Sequence, residues 1–265
     1  MIRRLRAEDV DSAMELSDAA GWNQTAADWR MLLELAPERC FCIDCDGRLA
    51  ATATLLCYGR RLAWLGMVLT RPDYRRRGFA RALVEHALDA ADRALIVTVK
   101  LDATDQGRPL YASLGFHDEQ PVERWLGAAM NGEGSPPPAL SRFTEQLDRE
   151  AFLADRSTML RALAARGGAY SDQGGFLLTR EGACASYLGP CVAERRETAE
   201  SLIAAALTTR SGSWFWDLLP ANAEAVALAH RFGFERVRMV TRMYRGRPLR
   251  GNEALAYGLA GFELG

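Results

Sequence analysis

Residues 69–88, LTRPDYRRRGFARALVEHAL, give the strongest indication of structure in this sequence. Pro72 cannot extend a strand, and Gly78 allows the backbone to pass close to a ligand. Small and apolar residues then recur at helical spacing, so a strand, a tight loop and a helix follow one another. Such a loop points several backbone N–H groups at one spot, on the positive end of a helix dipole and among arginines. It therefore predicts a receptor for a phosphate or pyrophosphate.

The spacing within this loop separates it from other phosphate loops. Neither GxxxxGK[ST] nor GxGxxG occurs here, which argues against a nucleoside-triphosphate P-loop and a dinucleotide fold. Arg75-x-x-Gly78-x-Ala80, preceded by Pro72-x-Tyr74, resembles the acetyl-CoA pyrophosphate loop of the GCN5-related N-acetyltransferases, the GNAT family. The alternative is an arginine-rich helix start that is only a solvated surface.

A second motif follows one strand later. The continuous apolar run 94–101, ALIVTVKL, predicts a buried strand of the parallel type. After it the GNAT pattern is Asn-x-x-Ala-x-x-x-Tyr-x-x-x-Gly-Phe, and the chain places at its five positions Thr104, Gly107, Tyr111, Gly115 and Phe116. The last three match, and the first two are conservative departures. Two motifs in this order identify residues 1–128 as a GNAT domain by resemblance.

Composition limits the class of protein. The chain has 265 residues, 49% of them hydrophobic, which favours two domains with real cores. A net charge of −1 gives no general field for polyanions, so nucleic acid is not an expected partner. The N-terminus lacks the apolar region of a signal peptide, and no apolar run approaches the roughly 20 residues that a membrane helix needs. We expect a cytoplasmic protein with no membrane partner.

The six cysteines do not predict a metal site. Cys42-x-x-Cys45 suggests zinc or redox chemistry, but no second pair stands at zinc-finger spacing, and Asp46-Gly47 is typical of a hairpin turn after a strand. The three histidines lie far apart in sequence. We expect reduced thiols in strands and no metal.

The second half of the chain reads as a diverged copy of the first. The segment 131–138, NGEGSPPP, is typical of a domain boundary, which predicts domains over 1–128 and 140–265 with a linker over 129–139. The GNAT helix pattern recurs downstream with alanine at the tyrosine position, at Asn222, Ala225, Ala229, Gly233 and Phe234.

The phosphate loop, by contrast, has no counterpart with suitable chemistry. An ungapped alignment of helix 199–207 with the helix after Gly78 puts Glu194 at the position of Arg75 and Glu197 at that of Gly78. Carboxylates would repel a pyrophosphate, so the second copy is expected to lack a working site.

Three stretches carry a further resemblance: GWNQTAADW at 21–29, LDREAFLADRS at 147–157 and RFGFERVRMVTRMYRG at 231–246. On these the whole chain resembles tandem acetyltransferases of the YitH type, in which a GNAT domain precedes a diverged GNAT-like one. The resemblance implies an α/β (α+β) fold class with two tandem GNAT folds. Each would be a mixed, mostly antiparallel sheet with a splayed parallel pair, flanked by helices.

The resemblance also implies the cosubstrate, acetyl-CoA, and the residues that hold it. Backbone groups of Val68 and Thr70 would bind the pantetheine arm, and the Val68 N–H would be the oxyanion donor. Tyr111 would be the general acid that protonates the departing sulfur, the alternative being a packed aromatic side chain. The pyrophosphate and the rest of the cosubstrate would be held by Arg75, Arg76, Arg77, Gly78, Phe79, Ala80, Arg81 and Thr104.

The general base is less evident. The strand 63–69 carries no carboxylate, so a glutamate in that strand is excluded. Asp102 is the best local candidate, with a cap for the following helix as its alternative. His86 lies beside the apolar face of its helix, and this position favours a packing role over a catalytic one. A chain of water molecules would serve equally well.

The acceptor site is expected to use both halves of the chain, because ligands commonly bind between domains. Candidates are Trp22 and Asn23 from the first half, and from the second Trp214, Trp216, Asp148, Asp155 and Arg156. For the tryptophans, a place in the core is the alternative.

These inferences predict an acetyl-CoA-dependent N-acetyltransferase that acts on a small-molecule amine by direct transfer in a ternary complex. One alternative is a non-catalytic acyl-CoA sensor, and another is a protein N-acetyltransferase. One CoA per chain is expected, in the first half. The acceptor, the acyl-chain length and the oligomeric state stay open, a homodimer included.

Overall fold

The strand, loop and helix expected around Gly78 are present in the computed structural model, which describes residues 1–130 and 142–265. The described chain divides into two compact units. Unit 1 comprises Met1–Asp118 with Met243–Pro248 and Leu264, and unit 2 comprises Glu119–Arg242 with Leu249–Glu263 and Gly265. The expected linker, 129–139, lies almost wholly outside the described residues.

Unit 1 is a sheet with helices on both faces. Its elements are β1 (Ile2–Arg4), α1 (Val10–Ala19), α2 (Ala26–Leu35), β2 (Cys40–Cys45), β3 (Arg48–Tyr58), β4 (Leu62–Thr70), α3 (Phe79–Arg93), β5 (Thr98–Ala103), α4 (Arg108–Ser113) and the start of β6 (His117–Ala128). The strand order is β1-β2-β3-β4-β5, and the last strand is supplied by residues 243–246. The first three pairings are antiparallel, and β4 pairs with β5 in parallel.

Local sequence explains the boundaries of these elements. Thr25 caps α2 by accepting a hydrogen bond from the Asp28 N–H, and Asp28 accepts in return from the Thr25 N–H. Asp46 and Gly47 both have positive φ, as a two-residue hairpin turn requires. On the α3 face of the sheet, alternate residues of β3, β4 and β5 form one apolar cluster with Leu83, Val84 and Ala87.

One expected strand begins later than predicted. The apolar run starting at Ala94 was expected to be strand throughout, but β5 begins only at Thr98. Instead, the N–H groups of Leu95 and Ile96 close the end of α3 on Asp92 and Ala91 carbonyls. Leu95 has φ +56 and is two-thirds exposed, so it ends the helix although it is apolar. A prediction from hydrophobicity alone therefore placed the start of β5 too early.

Unit 2 repeats the plan. Its elements are α5 (Arg142–Phe152), α6 (Ser157–Ala164), β7 (Gly168–Asp172), β8 (Gly175–Arg180), β9 (Ser186–Ala193), α7 (Arg196–Leu207), β10 (Ser213–Leu218), α8 (Ala223–Arg231), β11 (Glu235–Gly246) and β12 (Ala256–Gly258), with most of β6. The strands follow the order β11-β6-β10-β9-β8-β7. The β9–β10 pair is parallel, and β10 runs antiparallel to β6.

The compact units and the expected domains have different boundaries. Residues 119–128 belong to unit 2, although they were expected in the first domain, and Met243–Pro248 belong to unit 1. Met243 is fully buried in the apolar cluster of unit 1. Each unit is thus completed by a segment from beyond the expected domain boundary.

Candidate active site

Strand β4 is irregular where it leaves β5. The parallel pairing runs from Leu62 only as far as Trp64 opposite Lys100, and after that point the two strands diverge. On its other side, β4 has a bulge, because Met67 and Val68 together face Ala53 in the register with β3. Met67 has φ +50, which costs an L-residue about 1–2 kcal/mol. Val68 therefore lies where the hydrogen-bonded ladder is interrupted on both sides.

The loop after β4 is anchored by two buried side chains. Arg71 donates from Nε to the Leu49 carbonyl at 3.2 Å and from Nη2 to Glu15 at 2.7 Å, and this bond lowers the pKa of the Glu15 carboxyl. Tyr74 lies in a short 3-10 turn, and its hydroxyl donates to the Cys45 carbonyl at 3.4 Å. Sequence patterns gave no role to Arg71, because its partners are distant in sequence.

The expected phosphate-binding arginines do not all play the same part. Arg75, Arg76 and Arg77 are exposed; Arg75 Nε donates to the Thr70 carbonyl at 3.3 Å, and the Arg77 guanidinium lies 5.0 Å from the centre of the Tyr74 ring. Thr70 is thereby held at the end of β4. Arg81 points elsewhere. It hydrogen-bonds the Ser113 hydroxyl at 2.7 Å and so ties α3 to α4.

The start of α3 has the backbone expected of an anion receptor. Gly78 is its N-cap residue, with φ +82, and open space surrounds the position that a Cβ would occupy. Phe79 and Ala80 begin the first turn, whose N–H groups have no partner within the helix. Phe79 also packs on the apolar cluster of unit 1. Three arginines and the helix dipole therefore favour a negative group here.

Tyr111 reaches the same cluster from α4. It is buried, and its ring meets the Phe116 ring edge-on with centroids 5.9 Å apart. A Cβ at Gly107 would lie 3.0 Å from the Tyr111 ring, which explains glycine where the motif has alanine. Among the described residues, none hydrogen-bonds the Tyr111 hydroxyl, and burial raises its pKa above the ordinary value. The hydroxyl therefore keeps its proton at neutral pH.

Thr104 is committed to local structure. Its hydroxyl accepts a hydrogen bond from the Gly107 N–H at 3.2 Å, and its carbonyl accepts from the N–H groups of Gly107 and Arg108. The side chain therefore shapes the entry to α4, while the hydroxyl proton remains for another acceptor.

The two candidates for the general base, Asp102 and His86, lie in different surroundings. Asp102 lies within β5, and α4 begins six residues later with Gly107 as its N-cap, so the capping interpretation of Asp102 was wrong. Leu101 and Ala103 face the α3 cluster, which places Asp102 on the opposite sheet face. His86 packs edge-on against Phe41 at 4.7 Å between ring centroids, as the packing interpretation predicted.

The acceptor candidates fall into two groups. Trp22 is half-buried and Asn23 is buried, both in the connection between α1 and α2 of unit 1. Trp214 and Trp216 are fully enclosed in the core of unit 2, and Asp148 is buried against the Arg156 guanidinium at 2.8 Å. These three side chains leave no surface for a ligand, so they are not part of the proposal below. Asp155, exposed, pairs with Arg149.

Unit 2 has almost no loop where unit 1 has its arginines. Strand β9 ends at Ala193 and α7 begins at Arg196, whereas eight residues separate β4 from α3 in unit 1. The ungapped alignment of Glu194 and Glu197 with the loop was therefore wrong, because it assumed equal loop lengths. Only Glu194 and Arg195 connect β9 to α7, so this connection in unit 2 has no counterpart of the eight-residue arginine loop.

The opening in unit 2 is also filled by its own chain. Pairing of β9 with β10 ends at Tyr187 opposite Phe215. Strand β12 then lies against β9, and the N–H of Leu259 donates to the Asp217 carbonyl of β10 at 2.8 Å. The Arg180 guanidinium holds this segment through the Ala260 carbonyl and Glu263. The backbone of residues 256–259 therefore hydrogen-bonds to both β9 and β10 in the region where these strands diverge.

Metal and thiol chemistry receive no support from the described residues. Within 1–130 and 142–265, no three His, Cys, Asp or Glu side chains stand close enough to hold a metal ion. All six cysteines are free, and burial raises the pKa of Cys40 and Cys42 to about 12. Among the described helices, none is both long and apolar enough to span a membrane.

Comparison with known families agrees with this geometry. Residues 6–116 match the model of the "Acetyltransferase (GNAT) family", and residues 144–258 match a second model, "Acetyltransferase (GNAT) domain". The chain belongs to the GNAT superfamily. It is a tandem GNAT acetyltransferase, and members of this family use acetyl-CoA as cosubstrate.

Individual relatives of this GNAT protein are distant. The "Uncharacterized N-acetyltransferase YitH" of Bacillus subtilis is 27% identical over 168 residues, which span 60% of this chain and 58% of that relative. The "Putative Acetyltransferase" of Pyrococcus horikoshii has a TM-score of 0.89 at 22% identity and covers 100% of this chain and 95% of its own. A GCN5-related N-acetyltransferase from Sphaerobacter thermophilus has a TM-score of 0.66 at 15% identity, and the match covers 95% of this chain and 98% of that one. These structures share the fold.

Proposed function

We propose that the protein transfers the acetyl group of acetyl-CoA to the amine of a small molecule, by direct attack in a ternary complex. The observation that carries the proposal is the interrupted strand β4. Its bulge at Met67 and Val68 lies where β5 diverges and is followed directly by the arginine-lined start of α3.

Each residue has a defined task in this proposal. Bound acetyl-CoA supplies the thioester. The loop N–H groups from Arg76 to Ala80, with the side chains of Arg75, Arg76 and Arg77, hold the pyrophosphate, while the Val68 and Thr70 backbones hold the pantetheine arm. Arg81 and Thr104 support the site by holding α3 against α4 and by shaping the start of α4.

Charge and proton movements follow from the same residues. The Val68 N–H donates to the acetyl oxygen and stabilises the negative charge that develops there. As the amine nitrogen bonds to the acetyl carbon and the C–S bond breaks, Tyr111 gives its proton to the sulfur. Asp102, directly or through water, receives the proton of the amine. Trp22 and Asn23 line the acceptor side.

An acceptor panel tests this proposal. Small amines and amine-bearing peptides are incubated with the protein and acetyl-CoA, and release of the CoA thiol is followed against a protein-free control. Turnover with a small amine is the expected result. Turnover with peptides alone favours a protein N-acetyltransferase, and tight acetyl-CoA binding with no turnover favours a sensor; either result overturns the proposal.

A further inference from the structure

We propose that Thr52, on β3, is a positioning residue that aims the Val68 N–H at the acetyl oxygen. This inference rests on the proposed function, in which Val68 is the oxyanion donor. Thr52 belongs to neither GNAT motif in the sequence.

The contact that carries the inference is a hydrogen bond across the bulge. Thr52 Oγ1 donates to the Met67 carbonyl oxygen over 2.9 Å. Thr52 is fully buried, so water does not compete for this carbonyl. Its branched side chain has few rotamers, which makes the hydroxyl a rigid donor.

The direction of this bond determines the direction of the Val68 N–H. Ala51 and Ala53 face the α3 cluster, so Thr52 points to the opposite face of the sheet. The Met67 carbonyl and the Val68 N–H belong to one planar trans peptide and point in opposite directions. Holding the carbonyl on the Thr52 side therefore turns the Val68 N–H toward the α3 side, where the phosphate loop lies.

The bond also counters the strain in the bulge. Met67 holds a positive φ that non-glycine residues adopt rarely, and its place in the register has no partner on β3. A hydrogen bond to the carbonyl polarises the peptide as well and strengthens its N–H as a donor. Thr52 thus supports both the shape and the polarity of the proposed oxyanion site.

The test replaces Thr52 by valine, which keeps the branched shape and removes the donor. Thr54→Val is the matched control, because Thr54 is also buried on β3, two residues along on the same face, and its hydroxyl has no hydrogen-bond partner among the described residues. We expect Thr52→Val to lower kcat about 10- to 100-fold, less than the loss of an oxyanion donor itself. The KM for acetyl-CoA should stay within about twofold, because the phosphate contacts are intact.

Rescue and exchange measurements separate positioning from general damage. Thr52→Ser keeps the hydroxyl and should restore kcat to within about threefold of wild type, and Thr54→Val should keep the wild-type rate. Hydrogen exchange of peptides covering 66–69 should be faster in Thr52→Val than in Thr54→Val. Should Thr52→Val fail to fold, Thr52→Cys replaces it, because a thiol is a weak donor of similar size.

Two results would overturn the inference. One is a Thr52→Val enzyme with wild-type kcat and unchanged exchange at 66–69; the other is an equal loss in both valine variants. Failure of the proposed function gives a different pattern, in which the wild type acetylates nothing. The exchange comparison then still decides whether Thr52 holds the bulge.

Discussion

Tyr111 combines burial with the absence of a hydrogen-bond partner among the described residues. Its ring is fixed by Phe116 and by the close approach of Gly107, so the position of the hydroxyl is set by packing. Burial disfavours the phenolate and raises the pKa of this group. A tyrosine in this state does not ionise at neutral pH, so its proton stays on the hydroxyl and is present when the sulfur departs.

Tyr111→Phe should lower kcat about 100-fold or more, within the range of general acid catalysis, and should leave acetyl-CoA affinity unchanged. The phenylalanine ring keeps the packing, so the melting temperature should change little. Steady-state kinetics and calorimetry measure both. Because the pKa of Tyr111 is raised, the wild-type kcat should show no loss from its ionisation below about pH 10. An alkaline decline near pH 8 that disappears in Tyr111→Phe would contradict the assignment.

Among the elements, β4 and the loop after it form the proposed site. The β4–α3 motif could be predicted from sequence because its signals are local: Pro72, Gly78 and the helical spacing after it. Thr52 and Arg71 could not, because their roles depend on which residues of β3 lie opposite β4 and the start of the loop. No local pattern encodes that register.

The difference between local sequence signals and features set by the tertiary structure also explains which predictions were wrong. The start of β5 was misplaced because Leu95 and Ile96 are apolar yet close the end of α3. The alignment at Glu194 failed because an ungapped comparison cannot accommodate connections of different length. Trp214 and Trp216 were ambiguous in sequence because an aromatic side chain serves a core and a ligand site equally well.

Substitution of Gly78 tests whether the loop after β4 binds acetyl-CoA. Gly78→Ala and the control Gly59→Ala both place a side chain at positive φ, in open space, at opposite ends of the β4 region. Each should destabilise the protein by about 1–2 kcal/mol. Only Gly78→Ala should weaken acetyl-CoA binding, by about tenfold, because the loop N–H groups turn away. Calorimetry and thermal denaturation check both; equal binding in the two variants would refute the loop assignment.

At the scale of the molecule, the two GNAT copies differ in what occupies the opening between their parallel strands. In unit 1 that opening adjoins an arginine-lined loop, and in unit 2 it is closed by residues 256–259. Gly189 makes this closure tight, because a Cβ there would lie 2.0 Å from the Leu259 carbonyl oxygen. Two folds therefore provide one proposed cosubstrate site.

Titration of the full-length protein with acetyl-CoA should give a stoichiometry of one per chain. The physical reason is that unit 2 lacks both the loop and the open cleft. Isothermal calorimetry measures the number directly, with Gly78→Ala as the variant that weakens the single site. Two equivalent sites per chain would be incompatible with this assignment.

A chain that ends after Ala128 should fail to form a stable unit 1. It would lack Met243, which is fully buried, and Arg247, whose carbonyl accepts from the Thr98 hydroxyl at 2.7 Å. Loss of one such buried side chain costs about 2–5 kcal/mol, and β5 would be left as an open edge. Circular dichroism and denaturant unfolding measure the result. Full-length Met243→Leu, which conserves volume, is the control and should lose less than about 1.5 kcal/mol.

The segment Met243–Pro248 has a consequence for the gene as well. A duplicated domain that loses its own ligand site is ordinarily free to be deleted, because selection no longer acts on it directly. Here a deletion of the second copy would also remove a strand of the first. The exchange of segments therefore ties the two copies together: the surface of the second copy can change, but its removal would leave the first without the segment that holds Met243.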